Sequence, residues 1–411
     1  MFDLLGITSI ALVSLITTIV ALKNSSISKI LFTALFVRVF FIFAGHTFMT
    51  LPDSTADANG FESTAWYWAK DGFINHMSNY TGPSPKFISW LIGVPYSLFG
   101  RSFLMAQSMS LLVGIGSVFL GWKLANKIWD DRTAIKVAWI IALFPSLILY
   151  SVLILREVYI VFFLLVAIYG VYTCSKNNSV KSFFIAIIGF AGATFFHGAM
   201  MIGAIIFIAY IGISYLKKFF KSIITLRINK KIFTITLLCI LGSGLYLTNK
   251  INVAYLGNFK DTINLEKLTR RTNISSRGTA AWPEWTIAKT PIELIYKIPI
   301  RAVYFLFSPF PWDPKELKHL IGIFDSIIYM YLAYLILSNI KIIWKDPGLR
   351  LILIILLSYI IVFSVGVGNF GTSVRHRSKF AIIFILLAGP LLKSFSLLKK
   401  KKLKNEEIKN Y

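Results

Sequence analysis

An all-α fold, a polytopic bundle of membrane-spanning helices, is what this sequence predicts, on three observations. Across 411 residues the chain is 56% hydrophobic and only 15% charged, far from the composition of a soluble globular domain. Several apolar runs of roughly 17 to 22 residues are each long enough to cross a hydrocarbon core about 30 Å thick. The formal net charge of +25 sits largely in short hydrophilic connectors between those runs, the pattern of loops retained in the cytoplasm. That placement sets aside nucleic acid as the partner of the charge.

Residues 2–22 read as the first span. No basic segment precedes Phe2 and no persuasive cleavage site follows, so the run is expected to stay as a helix. Span two, 30–49, leads into the first long polar stretch, 50–86. It holds four of the 18 acidic residues, Asp53, Asp57, Glu62 and Asp71, beside Trp66, Tyr67 and Trp68. Residues 87–99 are apolar and aromatic but short, and Pro95 with Gly100-Arg101 breaks them; they predict an interfacial helix. Spans three, four and five are expected at 103–122, 137–150 and 158–173, with a charged connector at 123–136. A hairpin of spans six (182–194) and seven (200–215) turns near His197-Gly198. A strongly basic connector, 217–231, leads to span eight, 232–247.

A second polar region, 248–301, is followed by a short Pro-rich aromatic stretch at 302–314. Spans nine, ten and eleven are expected at 320–340, 351–367 and 380–395, giving about 11 spans. The lysines after spans one, three, five, seven and nine, with the run Lys399–Lys402, assign those connectors to the cytoplasm. Residues 50–86, 248–301 and the turn 368–379 then share the extracytoplasmic face. Residues 1–398 read as a single transmembrane domain and 399–411 as a basic cytoplasmic tail. Cys174 and Cys239 lie in or at the end of apolar runs, without disulfide or metal spacing. No internal repeat supports a duplicated transporter fold.

Two groups of residues can carry chemistry. Asp53 and Asp57, at the outer end of a helix and next to aromatics, suit a general base or a cation ligand, although their spacing alone is not diagnostic and fits a solvated loop better. The basic group comes from three places: Arg156 with Glu157; Arg270, Arg271 and Arg277; and Arg375, His376 and Arg377 in the sequence GNFGTSVRHRSKF. A guanidinium presents a planar fork suited to phosphate oxygens. Glycines 366, 368 and 371 before the last cluster add backbone amides that suit an anion. Arg156 can instead pair locally with Glu157 or reach lipid phosphates. His197 fits substrate binding or an interfacial cap. Asp325 in span nine carries the same two readings as His197, and Arg38 lies mid-span and should face the bundle and find a partner.

The order of these features resembles the GT-C integral-membrane glycosyltransferases, which use sugars carried on polyprenyl lipids. Asp57, Phe61 and Ala65 reproduce an acidic–aromatic–Ala spacing in the first outer loop. The stretch PYSLFGRSF (95–103) matches a Tyr- and Gly-marked segment. Pro145, Tyr150, Ser151 and Glu157 match a Pro–aromatic–Ser run leading to an acid, and Arg375, His376 and Arg377 match a late Arg-rich turn. The likeness covers roughly the first 200 residues. Many relatives place Glu after the loop carboxylate, whereas Ala58 follows Asp57 here, so either Asp57 or Asp53 can be the working acid. The segments PIRAVYFLFSPFPW and GNFGTSVRHR also look like multi-span proteins of bacterial surface-polysaccharide clusters.

The resemblance implies a glycosyltransferase of the bacterial cytoplasmic membrane. It would transfer a sugar or oligosaccharide from a polyprenyl-(pyro)phosphate donor to a glycan or lipid-linked acceptor on the outer face, in O-antigen or capsule synthesis. Asp57, with or without Asp53, would be the base. Arg375, Arg377 and one of Arg270, Arg271 or Arg277 would hold the lipid phosphate. A repeat-unit polymerase would use the same chemistry on larger partners; a lipid-linked-sugar flippase is the alternative outside catalysis. No cofactor is fixed; a divalent cation on the loop carboxylates is compatible with the sequence.

Overall fold

A computed structural model describes residues 3–80, 82–224, 265–276, 278–313 and 320–392. The expected eighth span, Cys239, Arg277, residues 248–264 of the second polar region and the basic tail lie outside the described residues. Among the described residues every regular element is helical, and an isolated bridge pairs Ala281 with Asn369.

Helices α1 (Leu4–Lys23) and α2 (Ser28–Thr47) are apolar over most of their length. Asp3 caps α1 by accepting the Gly6 N–H at 2.9 Å, and its other oxygen accepts the Ser102 hydroxyl at 2.7 Å. The polar stretch expected as a loop is itself helical, in α3 (Ala56–Ala69) and α4 (Phe73–Ser78). The reason lies in spacing: Ala58, Glu62, Ala65 and Ala69 form one buried stripe, and its small side chains let α3 pack on α5 (Phe87–Phe99). Glu62 is tolerated in that stripe because Arg101 meets it at 2.7 Å and the Tyr96 hydroxyl donates to it at 3.1 Å.

Helix α6 (Phe103–Ile128) starts at Ser102, whose hydroxyl accepts the Met105 N–H at 3.0 Å. The fourth expected span is two helices, α7 (Asp131–Leu143) and α8 (Pro145–Val152), bent by 54°. Pro145 cannot donate to the preceding turn and holds Phe144 in an extended conformation, so the helix breaks there and restarts. Arg38 of α2 fills the break. It donates to the Ala142 carbonyl at 2.9 Å and to the Ser151 hydroxyl at 2.8 Å, satisfying polar groups that the bend frees.

Helices α9 (Glu157–Asn177) and α10 (Val180–Phe196) lie against each other closely. A Cβ on Gly170 would sit 2.3 Å from the Ala186 backbone nitrogen, and one on Gly189 equally close to that of Ala167; only glycine permits this approach. Next come α11 (Met201–Ile224), α12 (Leu265–Ser275), α13 (Pro291–Phe307), α14 (Leu320–Ser338) and α15 (Ile340–Lys345). The chain continues through α16 (Pro347–Gly366), α17 (Phe370–Arg377) and α18 (Ala381–Ala388). All eight residues of α18 are buried, so this helix, apolar on every side, sits inside the bundle.

Among the described residues six helices are long and apolar enough to span a membrane, or seven if α7–α8 is one span. The other expected spans fall on the shorter helices α10 and α14, on α18, and outside the described residues. The protein is a multi-pass membrane protein.

Candidate active site

At one end of the bundle four chain segments converge: the start of α3, the α8–α9 junction, the α10–α11 turn and α17. The turn expected at 368–379 is mostly helix, because the Asn369 side chain accepts the Thr372 N–H at 2.8 Å and starts α17. The Trp282 N–H donates to the Gly368 carbonyl at 2.9 Å and the Phe370 N–H to Ala280 at 3.0 Å. These bonds clip the second polar region onto the last one.

Helix α17 projects Arg375 into the centre of the site. Its Nε donates to Glu157 Oε1 at 2.9 Å, and its Nη1 pairs with the Asp57 carboxylate. One guanidinium thus joins acids from two distant stretches. The acids differ in access: the Glu157 side chain is 2% exposed and that of Asp57 54%. Lys379, one helical turn beyond Arg375, lies 3.6 Å from the same Glu157 oxygen and also touches His376 Nδ1. His376 stands 5.4 Å ring to ring from His197, with Phe363 beside both at 5.2 and 5.1 Å. Arg156 donates to the Phe196 carbonyl at 3.2 Å and lies over the Phe61 ring at 5.3 Å. Tyr150 donates to Asp53 Oδ2 at 3.0 Å, and Asp53 holds its backbone in the left-handed region at φ 60°.

The electrostatics follow from this crowding. Burial works to lower Arg375, but the Glu157 and Asp57 carboxylates outweigh it and hold the guanidinium above its usual range. Burial pushes Lys379 down to about 7; Glu157 opposes that shift while Arg156 and Arg375 add to it. Burial, then the Lys379 ammonium, drive both His197 and His376 well below the ordinary histidine range. Loss of hydration raises Asp53, with the Tyr150 hydrogen bond and Arg375 pulling the other way. Three buried polar atoms facing this region, Arg375 Nη2, Glu157 Oε2 and His197 Nδ1, have no hydrogen-bond partner among the described residues. Such atoms are expensive to leave bare and suit a polar ligand.

The structure therefore brings together Asp53, Asp57, Arg156, Glu157, His197, Arg375 and His376. Arg377 goes elsewhere. It is fully buried, pairs with Asp325 at 2.6 Å, and donates to the carbonyls of Leu306 (2.9 Å) and Ser308 (2.6 Å) and to the Ser326 hydroxyl (3.0 Å). Successive residues on a helix point about 100° apart, so Arg375 and Arg377 cannot face one site. Arg270 and Arg271 are exposed on α12. Lys379, the last cation of the Arg375–Lys379 run, and Tyr150 also enter the site. The four-residue step from Arg375 to Lys379 was the available sign for the first. Among the described residues no three His, Cys, Asp or Glu side chains form a metal-ligand set.

Residues 84–241 match the family model described as dolichyl-phosphate-mannose-protein mannosyltransferase, a family of the GT-C superfamily. Over that stretch, less than half of its length, the chain is similar to membrane glycosyltransferases of the GT-C type. No curated protein and no solved structure matches it. The matched stretch runs from the end of the acidic segment through α5–α11. It supplies Tyr150, Arg156, Glu157 and His197, while Asp53, Asp57 and the α17 cations come from outside the match.

Proposed function

We propose that this protein transfers a hexose or oligosaccharide from a polyprenyl-(pyro)phosphate carrier to an acceptor hydroxyl on the outer face of the cytoplasmic membrane, in building a bacterial surface polysaccharide. The observation that carries the reading is the Asp57–Arg375–Glu157 chain. It places an accessible carboxylate beside a cation that a buried carboxylate holds from behind.

Asp57 takes the proton of the acceptor hydroxyl as its oxygen attacks the anomeric carbon of the donor sugar. The bond from that carbon to the phosphate oxygen breaks, and the carrier phosphate keeps the electron pair. Arg375 and, when protonated, Lys379 stabilise the growing negative charge, a role that needs cations fixed before the reaction. Glu157 fixes them. Without substrate, Asp57 and Arg375 occupy each other. A donor phosphate on Arg375 displaces Asp57 and frees it as a base, so donor binding and base activation are linked. Arg375 Nη2, buried and without a hydrogen-bond partner among the described residues, is a donor that the phosphate reaches once Asp57 has moved aside.

The test is product analysis after incubating the purified protein with a panel of polyprenyl-phosphate and polyprenyl-pyrophosphate sugars and candidate acceptors. A glycosylated acceptor that needs both donor and Arg375 supports the reading. Absence of transfer from every donor by folded protein sinks it.

A further inference from the structure

We propose that a groove at the opposite end of the bundle from the Arg375 cluster is a binding site for an anionic phospholipid. The groove encloses about 600 Å³ between α6, α9 and α10, within the range of pockets that hold small molecules. Its apolar walls include Leu165 and Ile185, and its polar rim is Lys123, Asn126, Lys127 and Tyr169. Tyr169 lies roughly 18 Å along α9 from Glu157, so the groove and the proposed active site open towards different membrane surfaces.

Charge decides the occupant. Lys123 and Lys127 stand one turn apart on α6, and both are exposed. Their ammonium groups lie 5.2 Å from the rings of Phe119 and Tyr169, which hold the alkyl stems at the groove mouth while leaving the N–H donors available. Neither lysine has an ion pair with a carboxylate among the described residues. The acid that begins the next connector, Asp130, instead caps α7 by accepting the Thr133 N–H at 2.7 Å. An apolar slot under two unpaired cations is complementary to acyl chains below a phosphate. The Lys-rich connectors assign this end to the cytoplasmic side, where anionic lipids are drawn to basic pockets between helices. Trp122, also in the lining, suits the depth of the headgroup boundary.

The experiment uses full-length protein in neutral detergent, titrated with phosphatidylglycerol or phosphatidylcholine, with bound lipid read by native mass spectrometry and unfolding temperature followed in parallel. Phosphatidylglycerol is expected to be retained and to raise the unfolding temperature, and phosphatidylcholine to do neither. The Lys123→Gln/Lys127→Gln double variant should lose roughly thirtyfold in phosphatidylglycerol affinity, while Lys23→Gln/Lys29→Gln, exposed lysines outside the groove, should keep it. Equal binding by the groove variant and wild type overturns the proposal. So does an equal loss in the control variant, which would show only diffuse surface charge. Displacement by polyprenyl phosphate at equal concentration would also overturn it, in favour of the sugar carrier. None of these outcomes depends on the reading of the catalytic end.

Discussion

Glu157 at the start of α9 and Arg375 on α17, 218 residues apart in sequence, share a hydrogen bond of 2.9 Å inside the protein. Because Lys379 approaches the same carboxylate oxygen, one buried acid balances two cations. Glu157→Gln should therefore destabilise the fold by about 3 kcal/mol, the cost of leaving buried charge unpaired. Unfolding in detergent measures this; a variant as stable as wild type would mean that water already solvates the pair.

The two acids of the first polar stretch should separate in transfer assays. Asp57→Asn is expected to lower kcat by about 10²- to 10⁴-fold, the usual contribution of a general base, while donor binding is kept or strengthened because Arg375 loses the accessible one of its two carboxylate partners. Asp53→Asn should cost less, since Tyr150 already engages that carboxylate. The reverse ranking would assign the base to Asp53.

Arg375 and Arg377 should fail differently. Arg375→Lys removes a fork that grips Glu157 and Asp57, so KM for the donor should rise with little loss of folded protein. Arg377→Lys breaks the buried contacts to Asp325, Leu306 and Ser308, so folded yield should fall first. Equal effects on KM in folded samples of both variants would put Arg377 back in the site.

Lys379 should make stability depend on pH. Its folded value of about 7 lies below the ordinary 10.5. Under about pH 7 the group is protonated folded and unfolded alike. Between about 7 and 10.5 the unfolded chain binds the extra proton, so this contribution to stability rises with pH. The slope is at most ~1.4 kcal/mol per pH unit. Lys379→Met should flatten the rise in unfolding curves recorded across that window. In the wild type, donor affinity should fall over the same interval as the cation is lost.

Close packing of α9 on α10 yields a test away from the chemistry. Gly189→Ala would drive a methyl group into the Ala167 backbone, at an expected cost of about 1–3 kcal/mol. Gly60→Ala, where a Cβ meets nothing within 4 Å, is the matching control. Equal unfolding curves would show that the two helices can separate without loss.

Apolar run lengths and the lysine-rich connectors were enough to settle a multi-pass helical protein, because a bilayer demands long hydrophobic segments and biases charge locally along the chain. The acids at 53 and 57 and the cations near 375 were also legible, since ionisable residues in so apolar a chain are few. Three things needed the tertiary structure: that residues 56–69 and 370–377 are helices, that Arg375 rather than Arg377 reaches Asp57 and Glu157, and that Lys379 joins them. Whether a polar segment becomes a helix depends on what its small-residue stripe packs against. Which arginine faces the acids depends on helix phase against neighbours hundreds of residues away, and no local pattern carries that information.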